Sequence, residues 1–203
     1  MDHRRDDVVD LARHLPDLAI AAALAWGSGL RAYAVIFAVG LAGVLGWVEL
    51  PEHLRLLQHP LVLGASGLMS AVEFFADKLP WLDSLWDTVH SFIRIPAGAA
   101  LAAAVFGDSG AAVALAAAIL GGTLAAGVHF AKAGTRAVIN TSPEPFTNWT
   151  ASLAEDAMVP LGLWLAIAHP IAFFMLLALF LVAAALLLRL IWRGLRRILS
   201  QQA

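Results

Sequence analysis

Six apolar stretches alternate with short polar segments along the chain, at roughly Leu18–Val48, Leu61–Leu79, Leu85–Phe106, Ala111–Ile139, Thr150–Ala168 and Ile171–Ile191. A membrane-crossing helix needs about 20 apolar residues, so each stretch reads as a span. The first and fourth are long enough to tilt, kink or extend past the bilayer. Gly27-Ser28-Gly29 interrupts the first, and Gly121-Gly122-Thr123 interrupts the fourth. The pair His169-Pro170 divides the last apolar run, because proline cannot continue the helical hydrogen-bond ladder without a kink. A tight hairpin fits that run better than one helix. The fold class expected is all-α, a polytopic membrane protein with six transmembrane helices.

Composition agrees. Hydrophobic residues make up 61% of the 203 positions and charged residues 14%, against about 25% charged in an ordinary soluble domain. A water-soluble enzyme, a disordered protein and a nucleic-acid binder are excluded, and a formal net charge of −2 supplies no basic footprint. The chain has no cysteine, which excludes disulfides, Cys-ligated zinc, iron–sulfur clusters and thiol catalysis. The expected partners are the lipid bilayer and a small ion or solute. Small-residue runs at Gly98–Ala102, Ala111–Ala118 and Ala183–Ala185 allow close helix approach and leave a homo-oligomer interface open.

Residues 1–17 lack the pattern of a secretory signal, because acids interrupt the basic region. Val8, Leu11, Ala12 and Leu15 share a helical face, so this segment is either an amphipathic helix on the membrane or a tail. A single transmembrane domain then covers 18–192, followed by a basic tail over 193–203. With six spans, one side collects Arg4, Arg5, Arg13, Lys78, Lys132, Arg136, Arg189, Arg193, Arg196 and Arg197, and the other only Arg55. Basic residues concentrate on the cytoplasmic side, so both termini are expected there.

A weak internal repeat follows the same division, with copies at about 18–106 and 111–192. The segment from Gly27 to Phe37 resembles that from Gly121 to Phe130 with one gap. Glu73-x-x-x-Asp77-x-x-Pro80 resembles Ser152-x-x-x-Asp156-x-x-x-Pro160, each followed by a tryptophan, Trp86 and Trp164. Three spans per copy would insert the second upside down, the sequence pointer to a midplane site in secondary transporters. Shared Ala/Gly/Leu composition explains the likeness equally well.

The polar positions inside this apolar background carry the chemistry. Glu73 and Asp77 lie at i, i+4, and beyond Pro80 the residues Asp83, Asp87, His90 and Arg94 form a second helical stripe. Ionised groups at membrane depth normally face protein or water and find partners. Either these carboxylates form an oxygen-rich site for a hard cation or protons, with His90 or Arg94 modulating its charge, or Asp77 to Asp87 is a solvated loop. In the second case Asp83 caps the third span and Lys78 is an ordinary juxtamembrane lysine. His129, Lys132, Arg136 and Asn140 share a face at the end of span four. Asn148, Ser152, Glu155 and Asp156 occupy neighbouring faces at the start of span five, following the turn-prone Ser142-Pro143-Glu144-Pro145. Glu155 and Asp156 either meet a helix dipole or join Glu73 and Asp77 in one site. Asn140 and Asn148 match glycosylation sequons, which a cytoplasmic loop would not expose to that machinery. Arg31, just past the Gly-Ser-Gly interruption, needs a carboxylate, a carbonyl or an anionic substrate, and Glu73 is its expected partner.

Gly29-Leu30-Arg31, Glu73-x-x-Ala76-Asp77-Lys78-x-Pro80-x-x-Asp83, Asn140-x-Ser142-Pro143-Glu144-Pro145-x-x-Asn148 and Ser152-x-x-Glu155-Asp156 resemble the motifs of a bacterial membrane family. That family is known as domain of unknown function four-one-two-six, and the resemblance covers roughly residues 18–190. It implies a multi-pass protein of the bacterial cytoplasmic membrane and the same polar positions, and it supplies no substrate.

The first functional expectation is a small secondary transporter or ion-conducting protein for a cation or proton-coupled solute. Glu73, Asp77, Glu155, Asp156 and Arg31 form its site, and one repeat rocks against the other. The alternatives are a non-catalytic membrane scaffold and a metal-dependent intramembrane enzyme acting on a lipid, with metal on Asp77, Asp83 and Asp87. No His-Glu-x-x-His or Gly-x-Ser-x-Gly motif supports the enzyme. No cofactor is expected beyond a bound cation.

Overall fold

The computed structural model describes the backbone over residues 3–141 and 145–201, and side chains over 14–141 and 146–196 apart from Pro80 and Leu195. The side chains of Val8, Leu11, Ala12 and Arg197, and residues Ser142 to Glu144, lie outside the described residues. Among the described residues there are six α-helices and no strand: α1 (His3–Val44), α2 (Pro60–Ala76), α3 (Pro80–Val105), α4 (Ala111–Ile139), α5 (Pro145–Ala168) and α6 (Pro170–Gln201). Short 3₁₀ turns over Glu52–Gln58 and Gly107–Ser109 precede α2 and α4. Proline opens α2, α3, α5 and α6, where its missing N–H costs nothing and its fixed φ suits the first turn. His59 caps α2 through its ring Nδ1, which accepts the Leu61 N–H at 3.2 Å.

The protein is an all-α polytopic membrane protein. Five helical stretches, His14–Val44, Trp81–Val105, Ala111–Ile139, Phe146–Ala168 and Pro170–Gly194, are long and apolar enough to cross a membrane. A sixth candidate is α2, bent by 67° from the 3₁₀ turn before it. The outward faces carry large apolar side chains, among them Phe92, Leu120, Leu161 and Leu179. Such a surface suits lipid rather than water. His169 alone separates α5 from α6, giving the tight junction expected at His169-Pro170.

The long first stretch is not one kinked span. As a straight helix its 42 residues would reach about 63 Å, twice the ~30 Å hydrocarbon thickness. Arg31 instead leaves helical geometry (φ −150°, ψ 84°). The contacts on its two sides run in opposite senses. Before it, Ala25 packs on Gly98 and Gly121, and Gly29 on Ala125 and Val128. Leu30 then meets Lys132, so this limb runs parallel to α4. After it, Phe37 packs on Gly67 and Gly40 on Leu57 and Leu63, antiparallel to α2. Val35 returns to touch Gly27. The chain therefore reverses direction at Arg31.

The reversal sits in the middle of the bundle. Ala19, Ala23, Leu24, Trp26, Leu30 and Val35 form the apolar core with Leu101, Val128 and Val159. Glycines set the closest approaches, as small residues do between membrane helices. A Cβ on Gly121 would meet the Gly98 carbonyl at 2.9 Å. Gly121-Gly122 lies inside an unbroken α4. The two glycine interruptions of the sequence therefore play different parts, and the paired helix breaks that supported an inverted repeat are absent from the described residues.

A Cβ at Gly29 would sit 2.6 Å from the Ala125 carbonyl oxygen and 2.8 Å from the Val128 Cβ, whereas one at Gly127 meets open space. Gly29→Ala should therefore destabilise the fold by about 1–3 kcal/mol through overpacking. Gly127→Ala should leave the thermal unfolding midpoint in detergent unchanged or slightly raised.

Candidate functional site

The reversal in α1 brings Arg31 to the end of α2 and to the facing sides of α4 and α5. Its Nη2 lies 2.9 Å from Asp77 Oδ2 and its Nε 3.1 Å from Asp156 Oδ1, with Glu155 Oε2 at 3.8 Å. The same Nη2 donates to the Ser152 hydroxyl at 3.1 Å and to its carbonyl at 3.3 Å. Glu73, the partner expected for Arg31, is elsewhere. It accepts from Arg94 Nη2 at 2.6 Å, while Arg94 Nη1 donates to Asp87 Oδ1 at 2.5 Å. Arg94 is on α3, which packs beside the last turns of α2, whereas Arg31 reaches only the residue that ends α2, Asp77.

Lys132 occupies the centre. Its Nζ donates to the Leu30 carbonyl, freed by the helix break, at 3.1 Å and to Asp77 Oδ2 at 3.1 Å. It also lies 3.1 Å from Glu155 Oε2 and 3.6 Å from Asp87 Oδ1. Lys132, expected only among the basic residues of one side and on the polar face of span four, is buried at the heart of the cluster, where the expected ion site did not include it. Its i, i+4 spacing from Arg136 within an apolar stretch was the available signal. Arg136 forks onto both Glu155 oxygens, at 3.1 and 3.3 Å. Its Nη1 donates to the Asn148 carbonyl at 3.0 Å and to the Asn148 side-chain oxygen. Asn148 in turn donates to Asn140, and Asn140 to Asp83 Oδ2 at 2.8 Å.

Asp83 does not cap α3, whose N-terminus has no side-chain cap bond; it is fully buried beneath Asn140. Glu155 and Asp156 do not sit at a helix start, because α5 begins at Pro145 and has no acid in its first turn. Lys78, at the rim, donates to the Phe74 carbonyl at 2.9 Å and covers that ring.

The histidines divide. Arg94 can only donate, so the His129 Nδ1 facing it at 3.3 Å accepts. The ring proton then sits on Nε2, which donates to the Ser91 hydroxyl at 2.6 Å. Ser91 passes the chain on to the Asp87 carbonyl at 3.0 Å. His90 instead donates from Nδ1 to the Trp86 carbonyl, stacks on Trp86 and meets the edge of Tyr33. It lines the cluster without joining an ion pair among the described residues.

The cluster thus contains six carboxylates, Glu73, Asp77, Asp83, Asp87, Glu155 and Asp156, and five fixed cations, Arg31, Lys78, Arg94, Lys132 and Arg136. Burial alone would raise the Asp77 carboxyl, yet Lys132, Arg31, Arg94 and Arg136 around it hold it below the usual carboxylate value. Burial lowers the Lys78 ammonium, with Asp156 opposing the shift. One oxygen on each of Glu73, Asp77, Asp83, Asp87 and Asp156 is buried and accepts no hydrogen bond. Asp77, Asp83 and Asp87 each place an oxygen within 4.8 Å of the others. Three converging carboxylates suit a hard cation such as magnesium or calcium. Lys132 and Arg136 already neutralise part of the same group, so an ion there shares the carboxylates with them.

The chain belongs to the family described as domain of unknown function (DUF4126), which matches residues 18–190. Searches of curated proteins and of solved structures each found no match.

Removing one partner of a buried ion pair costs about 3–5 kcal/mol, because the other charge is left uncompensated. Arg94→Met should therefore strongly lower the unfolding midpoint, whereas Arg189→Met, on the exposed surface of α6, should not. A carboxyl depressed in the folded state stabilises above its unfolded pKa and loses that contribution as pH falls through its folded value. Asp77→Asn should thus unfold more easily than the parent at neutral pH. The gap in unfolding midpoint should close only below the ordinary carboxylate range.

Proposed function

We propose that this protein is a small membrane transport or ion-conducting protein in which the buried charge cluster binds a cation or protons. One observation carries the reading: the carboxylates outnumber the fixed cations by one, three of them converge, and each of those three carries a buried oxygen that accepts no hydrogen bond. A purely structural network lowers its energy by satisfying every acceptor, since an unpaired buried polar group is costly. A residual negative charge on converging oxygens is instead what a mobile cation neutralises. Asp77, Asp83 and Asp87 supply the oxygens. Lys132, which touches Asp77 and lies near Asp87, is the resident cation against which an entering ion or proton competes. Arg31, at the broken helix, holds Asp77 and Asp156 in place, and broken helices with freed carbonyls are how membrane proteins build ion sites. The setting we propose is the bacterial cytoplasmic membrane.

A scaffold role is the second reading, favoured by the Glu73–Arg94–Asp87 bridge, whose three members are buried and in which each Nη of Arg94 meets a carboxylate. The Asp77, Asp83 and Asp87 grouping would also serve a metal-dependent enzyme acting on a lipid.

Flux of protons and of monovalent and divalent cations into proteoliposomes separates these readings. The transport reading expects flux by the parent protein that is lost in Asp83→Asn and Asp77→Asn, both verified as folded by size exclusion. Unchanged flux in both variants would remove the proposed site. No flux by folded parent protein across the whole panel would favour the scaffold.

A further inference from the structure

We infer that α1 is a re-entrant helical hairpin, entering and leaving the membrane from one face, so that the two chain termini lie on opposite sides. The inference is independent of the transport reading and rests on the direction of the chain. Call the loop face the one that carries the 3₁₀ turns Glu52–Gln58 and Gly107–Ser109. These turns are neighbours, joined by His53 and Asp108 at 3.2 Å and by His53 against Gly107. Residues His14 and Leu18 of α1 are at the same level. An apolar groove of about 590 Å³ is walled by His14 and Leu18 together with Phe106, Ser109 and Val113. From there the first limb descends beside α4 to Leu30 and Lys132, and the chain reverses at Arg31. The second limb climbs back along α2, until Gly43 meets Leu50 and Gln58 on the loop face again.

Length supports a hairpin that stops inside the bilayer. The second limb, residues 32–44, rises only about 20 Å at ~1.5 Å per residue, well short of the ~30 Å needed to cross, and the first limb ends at the same tip. At the hairpin tip, α4 has reached only Lys132 and continues to Ile139. A helix break at membrane depth is tolerated only where protein satisfies the freed backbone groups. Here Lys132 bonds the Leu30 carbonyl, and Arg31 is held by Asp77, Asp156 and Ser152.

With α1 re-entrant, α2 to α6 make five crossings, an odd number. The start of α1 then shares the loop face with Asp108, while Lys78, Thr141 and the end of α6 share the opposite, turn face. The even count behind two cytoplasmic termini no longer holds, and Arg4, Arg5 and Arg13 accordingly move to the side of Arg55. The charge cluster opens toward the turn face, where the Asp156 side chain retains 26% of its exposure. Leu24, Trp26, Leu101 and Val159 close it toward the loop face.

The chain has no cysteine, so single cysteines report position cleanly. Asp17→Cys, Asp108→Cys, Thr141→Cys and Arg193→Cys, all at exposed positions, are labelled with a membrane-impermeant maleimide in sealed vesicles, before and after permeabilisation. The expected result is that Asp17→Cys and Asp108→Cys react from one face, and Thr141→Cys and Arg193→Cys from the other. Asp17→Cys reacting together with Thr141→Cys and Arg193→Cys, or from both faces, would overturn the hairpin. If Asp108→Cys fails to insert, Glu52→Cys replaces it. Spin-label distances in the detergent-solubilised protein give a second reading. Asp17 to Asp108 is expected to be shorter than Asp17 to Thr141, and the reverse order contradicts the inference.

Discussion

A break inside a buried helix leaves a backbone carbonyl in need of a donor, and the architecture of this protein is organised around one such break. The break at Arg31 frees the Leu30 carbonyl, and Lys132 supplies the donor. Once a lysine is buried there it needs anions, and Asp77 and Glu155 provide them. Those acids are held in turn by Arg31 and Arg136. Each buried charge thus creates the requirement met by the next, and isolated charges in such surroundings would cost far more than the fold could sustain.

The network has two lobes. One joins Glu73, Arg94, Asp87, His129 and Ser91, within α2, α3 and α4. The other joins Arg31, Asp77, Asp156, Glu155 and Arg136, across α1, α4 and α5. Lys132 touches the second lobe and lies 3.6 Å from Asp87 of the first. A change of charge at Asp77 would therefore be felt in both lobes at once. Small residues make the arrangement reachable. Gly29, Gly98 and Gly121 let α1, α3 and α4 approach closely enough for short donor–acceptor distances at the level just below.

The helices were legible in the sequence because membrane spans are written in uninterrupted apolar runs, and the boundaries near Pro60, Pro80, Ala111 and Pro170 follow proline and glycine chemistry. The helical stripe Asp83, Asp87, His90 and Arg94 also lies inward as its spacing implies, with all four side chains buried. Two things were not legible. Hydropathy is blind to direction, so the apolar run from Leu18 to Val48 reads the same for a long kinked span and for a hairpin. The Gly-Ser-Gly segment marked the place, while the similar glycines of α4 remain helical, because close packing against Gly98 and Ala102 needs small residues without needing a break. Pair choice was the second gap. Glu73 and Arg31 are both embedded charges, but only tertiary geometry assigns Glu73 to Arg94 and Arg31 to Asp77.

The central claim is that the break in α1 is held by direct charge pairing between Arg31 and Asp77. A double-mutant cycle on unfolding stability with Arg31→Met and Asp77→Asn tests it most directly. Residues that share a buried pair are coupled, so the double variant should be less destabilised than the two single effects combined, by more than ~1 kcal/mol. Additive effects, each substitution costing as much in the presence of the other as alone, would contradict the account.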